Sequence, residues 1–244
     1  MYRDLIGLFL GTLVPLQQHA MATVVDLSVD TNGTINGGIF ERLDRHPAGT
    51  GNINSFVRIQ TNDAVEQGYN TSGRPLPFDE NASPNFTRNL LVSDVPVRTF
   101  GGVDYYEFLL DINQQNSDPL LSLDALKIYT SDTGSQTTTD LASLGTLRYD
   151  LDQGGDSFVR IDYSLDSGSG HGDMRFLLPT TAFTGATPDQ FVYLYSMFGA
   201  NNANNDGYEE WNVQGGGTTI VPLAPAAAMA SAGLLALGLV RRRA

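Results

Sequence analysis

The sequence predicts an all-β protein: a single β-sandwich or jelly-roll-like domain, preceded by an N-terminal signal peptide and followed by one hydrophobic C-terminal helix. Three observations carry this reading. Between the two ends, apolar residues recur at period two and not 3.6. Gly, Asn, Asp and Pro interrupt the alternation at short intervals. No helical stripe of useful length runs through that stretch. Many short strands joined by loops suit a sandwich or jelly roll. A barrel is the alternative, and a solenoid is disfavoured because no fixed repeat recurs.

The strand-like runs, in order, are residues 23–30, 37–43, 54–61, 89–99, 103–112, 123–131, 146–151, 156–165, 172–179, 191–198 and 208–214. In SFVRI (55–59), Val57 and Ile59 share one face, and Phe56 and Arg58 share the other. The same pentapeptide recurs at 157–161 with unlike flanks, which fits two similar core strands better than a duplication. Gly101-Gly102 and Gly154-Gly155 sit between strand-like runs and read as hairpin turns. Residues 140–145 allow one short helical turn. Residues 67–88, rich in Asn and Pro, show no strand pattern. They read as a packed Ω-like loop over one sandwich edge, or as a sugar-binding rim built on Tyr69, Arg74, Phe78 and Phe86. The N-x-S/T triplets at Asn32, Asn70, Asn81 and Asn85 follow from Asn- and Thr-rich loops.

The chain has 244 residues and no cysteine, so disulfides, thiol catalysis and thiolate metal sites are excluded. Its formal charge is −13, and setting aside Arg3, Asp4 and Arg241 to Arg243 takes the body to −16, with Lys127 its one lysine. Such a body is repelled by phosphate backbones, which argues against nucleic acid as a partner and suits cation-rich surroundings.

Both ends read as addresses. Residues 5–16 form a short apolar run with Arg3 before it and Ala20-Met21-Ala22 after it, the order of a cleaved secretory signal. Cleavage after Ala22 is expected, on an A-x-A site formed by Ala20 and Ala22. From Ile220 to Val240 no residue is charged. Pro222 and Pro225 lie at the outer end, and the unbroken apolar helix is expected over 226–240, marginal for a permanent span. Arg241, Arg242 and Arg243 would hold the terminus on the cytoplasmic side. The domains are therefore 1–22, signal peptide; 23–219, β-sandwich; 220–244, sorting segment.

A proline-containing motif, a marginal apolar helix and a terminal arginine cluster together resemble a PEP-CTERM sorting signal of the V-P-L-P-A type. Here the motif stands as Val221, Pro222, Leu223, Ala224, Pro225 and Ala226, with Ala224 additional to the pattern. The resemblance implies a Gram-negative source, transient anchoring in the inner membrane, processing by an exosortase-like peptidase, and release to the cell surface or an exopolysaccharide matrix. A plain C-terminal anchor or a GPI signal are the alternatives; a GPI signal normally ends apolar. Within the body, "GYNTSGRPLPFDENASPNFTRNLLVSDVPV", "YYEFLLDINQ" and "NNDGYEEW" are similar to other PEP-CTERM exoproteins, which implies a shared fold and supplies no catalytic residues.

For chemistry, the densest pattern is 201–210, NNANNDGYEE. Oxygen donors alternate at Asn202, Asn204 and Asp206, Gly207 follows, and Glu210 lies further on. Alternating oxygens before a glycine turn suit a hard cation, calcium above all. The twelfth position is Val213, so the loop would need acids from elsewhere; Asp30, with Asp26 and Asn32, is the expected source. An Asn- and Gly-rich hairpin loop is the plainer reading. Catalytic patterns are poor. Ser169, His171 and Asp173 sit too close in a Gly-rich stretch to fix a triad, His46 stands apart, and the pairs Asp79/Glu80 and Glu209/Glu210 are unremarkable in so acidic a chain. The expectation is an exported, non-enzymatic surface or matrix protein, with a calcium-supported carbohydrate-binding module as the alternative and a secreted hydrolase behind it.

Overall fold

The computed structural model of the chain describes residues 22–43, 54–168 and 172–213. The signal peptide apart from Ala22, which is exposed, lies outside these residues, as do His46, Ser169, His171 and the whole sorting segment from Val221 to Arg243. No helix of the described residues is long and apolar enough to cross a membrane.

The regular secondary structure of the described residues is mostly strand, arranged in two sheets. In order the strands are β1 (Val24–Asp26), β2 (Asn32–Ile35), β3 (Gly38–Arg42), β4 (Ser55–Ile59), β5 (Glu66–Tyr69), β6 (Leu90–Leu91), β7 (Val97–Phe100), β8 (Val103–Asp111), β9 (Leu120–Ser131), β10 (Thr146–Asp150), β11 (Phe158–Asp162), β12 (Met174–Pro179), β13 (Phe191–Phe198) and β14 (Glu209–Asn212). One sheet runs β1-β11-β9-β13-β5, with β10 also beside β9 and β6 beside β13; the other runs β2-β3-β12-β8-β14-β4, with β7 beside β8. Every pairing is antiparallel except β1 with β11.

Several expectations need correction. The run 89–99 breaks into β6, a 3-10 turn at Val92–Asp94 and β7, with Pro96 unable to donate to a ladder between them. β2 was not expected: Asn36 and Gly37, at φ +49° and +83°, form the tight turn that pairs it with β3. Gly101 and Gly102, at φ +57° and +83°, do form the expected β7–β8 hairpin. Gly154-Gly155 forms no hairpin, because β10 and β11 each pair with β9 and not with each other. The helical turn expected near 140 is a 3-10 turn at Leu141–Ser143, capped by Asp140, whose side chain accepts from the Ala142 N–H.

The two SFVRI runs lie in different sheets, as β4 and within β11, and each turns its Val and second apolar residue inward. Phe56 departs from strict alternation. Val57 pairs with Trp211 and Ser55 with Asn212, which leaves Phe56 as an extra residue on β4. This bulge lets Phe56 join Val57 in the core, where it meets Phe108 edge-on.

The core fills the space between the sheets. Phe40, Phe108 and Phe176 lie in register across β3, β8 and β12, and Tyr149 of the facing sheet packs on Phe176 at 5.0 Å between centroids. Trp211, fully buried, reaches across from β14 and its indole N–H donates to Ser196 Oγ on β13 at 3.1 Å. A smaller cluster of Tyr69, Tyr129, Tyr193 and Tyr195 coats the other face of the β9–β13–β5 region, with Phe78 from the 70–88 loop packed on it.

That loop closes the edge formed by β4 and β5. Backbone N–H groups of Gln60 and Asn81 donate to Asp79 and Arg58 carbonyls, and Asp79 N–H donates to Gln67 O, so both edge strands are covered. The loop therefore behaves as the packed edge cover. The candidate sugar rim does not form: Tyr69 is buried, Phe86 stacks on Arg58, and Arg74 donates to the carbonyls of Thr71, Gly73, Ala82 and Thr87 within the loop. Asn70 is fully buried, bonded to Val192 O and Leu194 N–H, so its triplet marks a structural side chain.

Trp211→Ala should cost about 3–5 kcal/mol of unfolding free energy, and Trp211→Phe about 1–2 kcal/mol through the orphaned Ser196 hydroxyl and lost volume. Urea denaturation followed by far-UV circular dichroism would read both, with the slope of the transition unchanged.

Candidate functional site

The 199–208 connection, between β13 and β14, holds the predicted oxygen donors. It starts from a bulge in β9. Leu121 and Leu123 face the core, then Leu126 and Ile128 do, because Met197 pairs with Ala125 and Phe198 with Leu123. Asp124, left over at the bulge, accepts from the backbone N–H groups of Ala200 (2.6 Å) and Asn201 (3.2 Å) and from Asn201 Nδ2 (2.7 Å). Ser122 Oγ donates to the Asp124 carboxylate and accepts from the Asn202 N–H. The loop is thus pinned at its root by the strand it leaves.

From there the predicted donors diverge. Asn202 Oδ1 accepts from Arg160 Nε at 3.0 Å, and Arg160 Nη1 contacts Asp26 Oδ2 at 2.6 Å. The expected meeting of the N-terminal acids with this loop does occur, but a guanidinium stands between them, and the acid involved is Asp26. Burial raises the Asp26 carboxyl, yet hydrogen bonds from Ser28 and Arg160 outweigh it and hold the group below the usual range. Asp30 is exposed in the turn after β1. Asp206 is also exposed, accepting from the Gly207 N–H. Glu210 points away from the core and pairs with Arg58 Nε at 2.7 Å, beneath the Phe86 and Tyr208 rings that stack on that guanidinium at 3.4 and 4.0 Å. Asn202, Asn204, Asp206, Glu210 and Asp30 therefore do not form one coordination sphere. Among the described residues, no three acidic or histidine side chains converge as a metal cluster.

Asn204 alone turns inward, and it leads to residues the sequence pattern did not single out. Alternation explains them. Trp211 must face the core, so Glu209, two residues earlier on β14, faces the core as well. Glu66 on β5 pairs with Phe198, another core residue. The two glutamates thus enter the same end of the sandwich from opposite sheets, and both are fully buried. Two carboxamides join them. Asn204 Nδ2 donates to Glu66 Oε2 at 3.2 Å; Gln114 Nε2 donates to Asn204 Oδ1 at 3.0 Å and to Glu209 Oε1 at 2.9 Å. The Thr61 N–H also donates to Glu66 Oε2, and Gln114 Oε1 accepts from the Asn205 N–H. Among the described residues, Glu66 Oε1 and Glu209 Oε2 have no hydrogen-bond partner, and neither carboxylate has a basic one.

Burial pushes the Glu66 carboxyl up to about 7, opposed by the Thr61 N–H and reinforced by the charge of Asp79. Beside this chain opens a polar pocket of about 190 Å³, lined by residues 60–63 of the β4–β5 loop and by 204–207. Gly199, at φ +94°, brackets the loop where a side chain would collide with the Ala64 carbonyl.

Glu209 and Glu210 face opposite sides of β14. Glu80 accepts from the Tyr69 and Phe78 N–H groups, and Asp79 from the Gln67 N–H, all structural roles. Asp173 is buried, accepting from the Ile112 N–H, with its carboxyl held well above the usual range by burial and by Asp111.

Folded Glu66 holds its proton to a higher pH than the unfolded chain does. Its contribution to stability is complete below pH ~4.5 and is lost as pH rises towards ~7, a change of about 3 kcal/mol. Unfolding free energy measured without added metal should fall between pH 5 and pH 8, and Glu66→Gln should remove part of that slope, the rest belonging to groups such as Asp173. Compared with known protein families, curated proteins and solved structures, the chain finds no match.

Proposed function

We propose that this chain is an exported, non-enzymatic β-sandwich that works at the cell surface or in an exopolysaccharide matrix, delivered there by a PEP-CTERM-type tail. The observation that carries the reading is the order of the tail: Val221-Pro222-Leu223-Ala224-Pro225, an uncharged stretch to Val240, then Arg241 to Arg243. An apolar helix of that length stops transfer, and the arginines resist crossing. An exosortase-like peptidase then cuts near the proline motif and frees the body, while the leader ending at Ala20-Met21-Ala22 supplies export. Its partners are that peptidase, the inner membrane for a time, and surface glycan or exopolysaccharide. The architecture supports a passive or adhesive role: its polar loops are tied down by internal hydrogen bonds, and its β4–β5 edge is covered. The chain changes sheet at seven of its thirteen strand connections, which supports a jelly-roll-like wrap.

A calcium-supported carbohydrate-binding module is the second reading, favoured by the polar pocket between residues 60–63 and 204–207. Screening the protein on a glycan array with and without calcium separates it from a matrix protein without a glycan ligand.

For the first reading, a chain truncated before Val221 should leave the membrane fraction in cells that lack exosortase, whereas the full chain should stay in it. An identical distribution of the two would remove the sorting role of the tail.

A further inference from the structure

Two carboxylates enter the same end of the core, from opposite sheets, with no countercharge among the described residues. Each is held by one oxygen. Glu66 Oε2 is fixed by the Thr61 N–H and Asn204 Nδ2, and Glu209 Oε1 by Gln114 Nε2. The other oxygen of each, Glu66 Oε1 and Glu209 Oε2, is buried without a hydrogen-bond partner. An unsatisfied buried acceptor is costly, and two of them at the ends of one hydrogen-bonded chain suit a positive ligand. The geometry points to a divalent cation of the calcium class bound between Glu66 and Glu209, with the Asn204 carboxamide as a further ligand.

The chemistry of the donors fits. Carboxylate and carboxamide oxygens are hard ligands, and calcium takes 6–8 of them, waters included. Two carboxylates neutralise one divalent ion. The polar pocket beside Asn204 supplies a path for the ion and room for its waters, and Asp63 and Asp206 on its walls draw cations towards it. Asn204 Oδ1 accepts one hydrogen bond, from Gln114 Nε2, and keeps a second lone pair for the ion. The bound ion would tie β5 of one sheet to β14 of the other at the end of the sandwich where the 60–65 and 199–208 loops meet. This site differs from the alternating Asn202–Glu210 pattern: it keeps Asn204 and replaces the rest.

The site is independent of the tail, so its test says nothing about sorting. Terbium serves as the probe, excited through Trp211, the single tryptophan, which lies two residues from Glu209 on the same face. The purified full-length chain, stripped with chelator, should give terbium emission sensitised by Trp211 at pH 8, displaced by calcium, with one ion per chain. Glu66→Gln and Glu209→Gln should each weaken binding at least tenfold, while Glu210→Gln should leave it unchanged. Absence of sensitised emission from the wild-type chain at pH 8, or emission insensitive to calcium, would overturn the site. So would wild-type affinity retained in both Glu66→Gln and Glu209→Gln, or loss of binding in Glu210→Gln alone.

Discussion

Burying a carboxylate without a cation is among the least favourable things a small β-sandwich can do, and this one does it twice at one end. Glu66 and Glu209 have no room to leave, because each is locked by strand alternation beside an obligatory core residue: Phe198 opposite Glu66, and Trp211 next in phase to Glu209. Much of the local architecture follows from satisfying them. The Asn204 and Gln114 carboxamides reach in from separate connections to bridge the pair. The Thr61 N–H turns towards Glu66, and the loop after β13 is bent inward at Asn204, its N–H donating to Ala64 O. The bulge at Asp124 and the left-handed Gly199 are what allow that bend.

The neighbouring faces show how the same acidic chain handles charge elsewhere. On the outer side of one sheet, Arg160 lies between Asp26 and Asn202; on the other, Arg58 meets Glu210 under two aromatic rings. Arg175, also buried, stands 3.1 Å from Glu107 and 3.7 Å from Glu41. In each case a guanidinium neutralises the acid, with planar geometry and permanent charge. The chain has few basic residues, and it places several of them against these acids. Asp124 and Glu80 are also met by N–H groups and no cation; the Glu66–Glu209 pair differs in leaving one oxygen of each carboxylate without a hydrogen-bond partner among the described residues.

The sequence shows the strand content well where apolar and β-forming residues are dense, as in residues 103–112, 123–131 and 191–198. It hides β5, because an inward Glu66, then Gly68, breaks the apolar rhythm that marks a strand. It hides β2 for a similar reason: Asn32-Gly33-Thr34 looks like a loop, although Asn36-Gly37 is a strong hairpin signal. At the candidate site, local spacing drew attention to Asn202, Asp206 and Glu210, and only Asn204 belongs to the buried chain. Glu209 was within reach of the sequence. A tryptophan two residues away on a strand fixes its face, and that argument outweighs counting loop positions. Glu66 and Gln114 were not within reach, since they lie 138 and 90 residues from Asn204 and meet it only through the pairing of two sheets.

The placement of charge inside the sandwich can be seen directly. A crystal of the protein grown at pH 8 with calcium, measured for anomalous scattering, should show one ion at about 2.4 Å from oxygens of both Glu66 and Glu209. A difference map with no ion there, and the two free carboxylate oxygens sharing a water or a proton instead, would contradict the account.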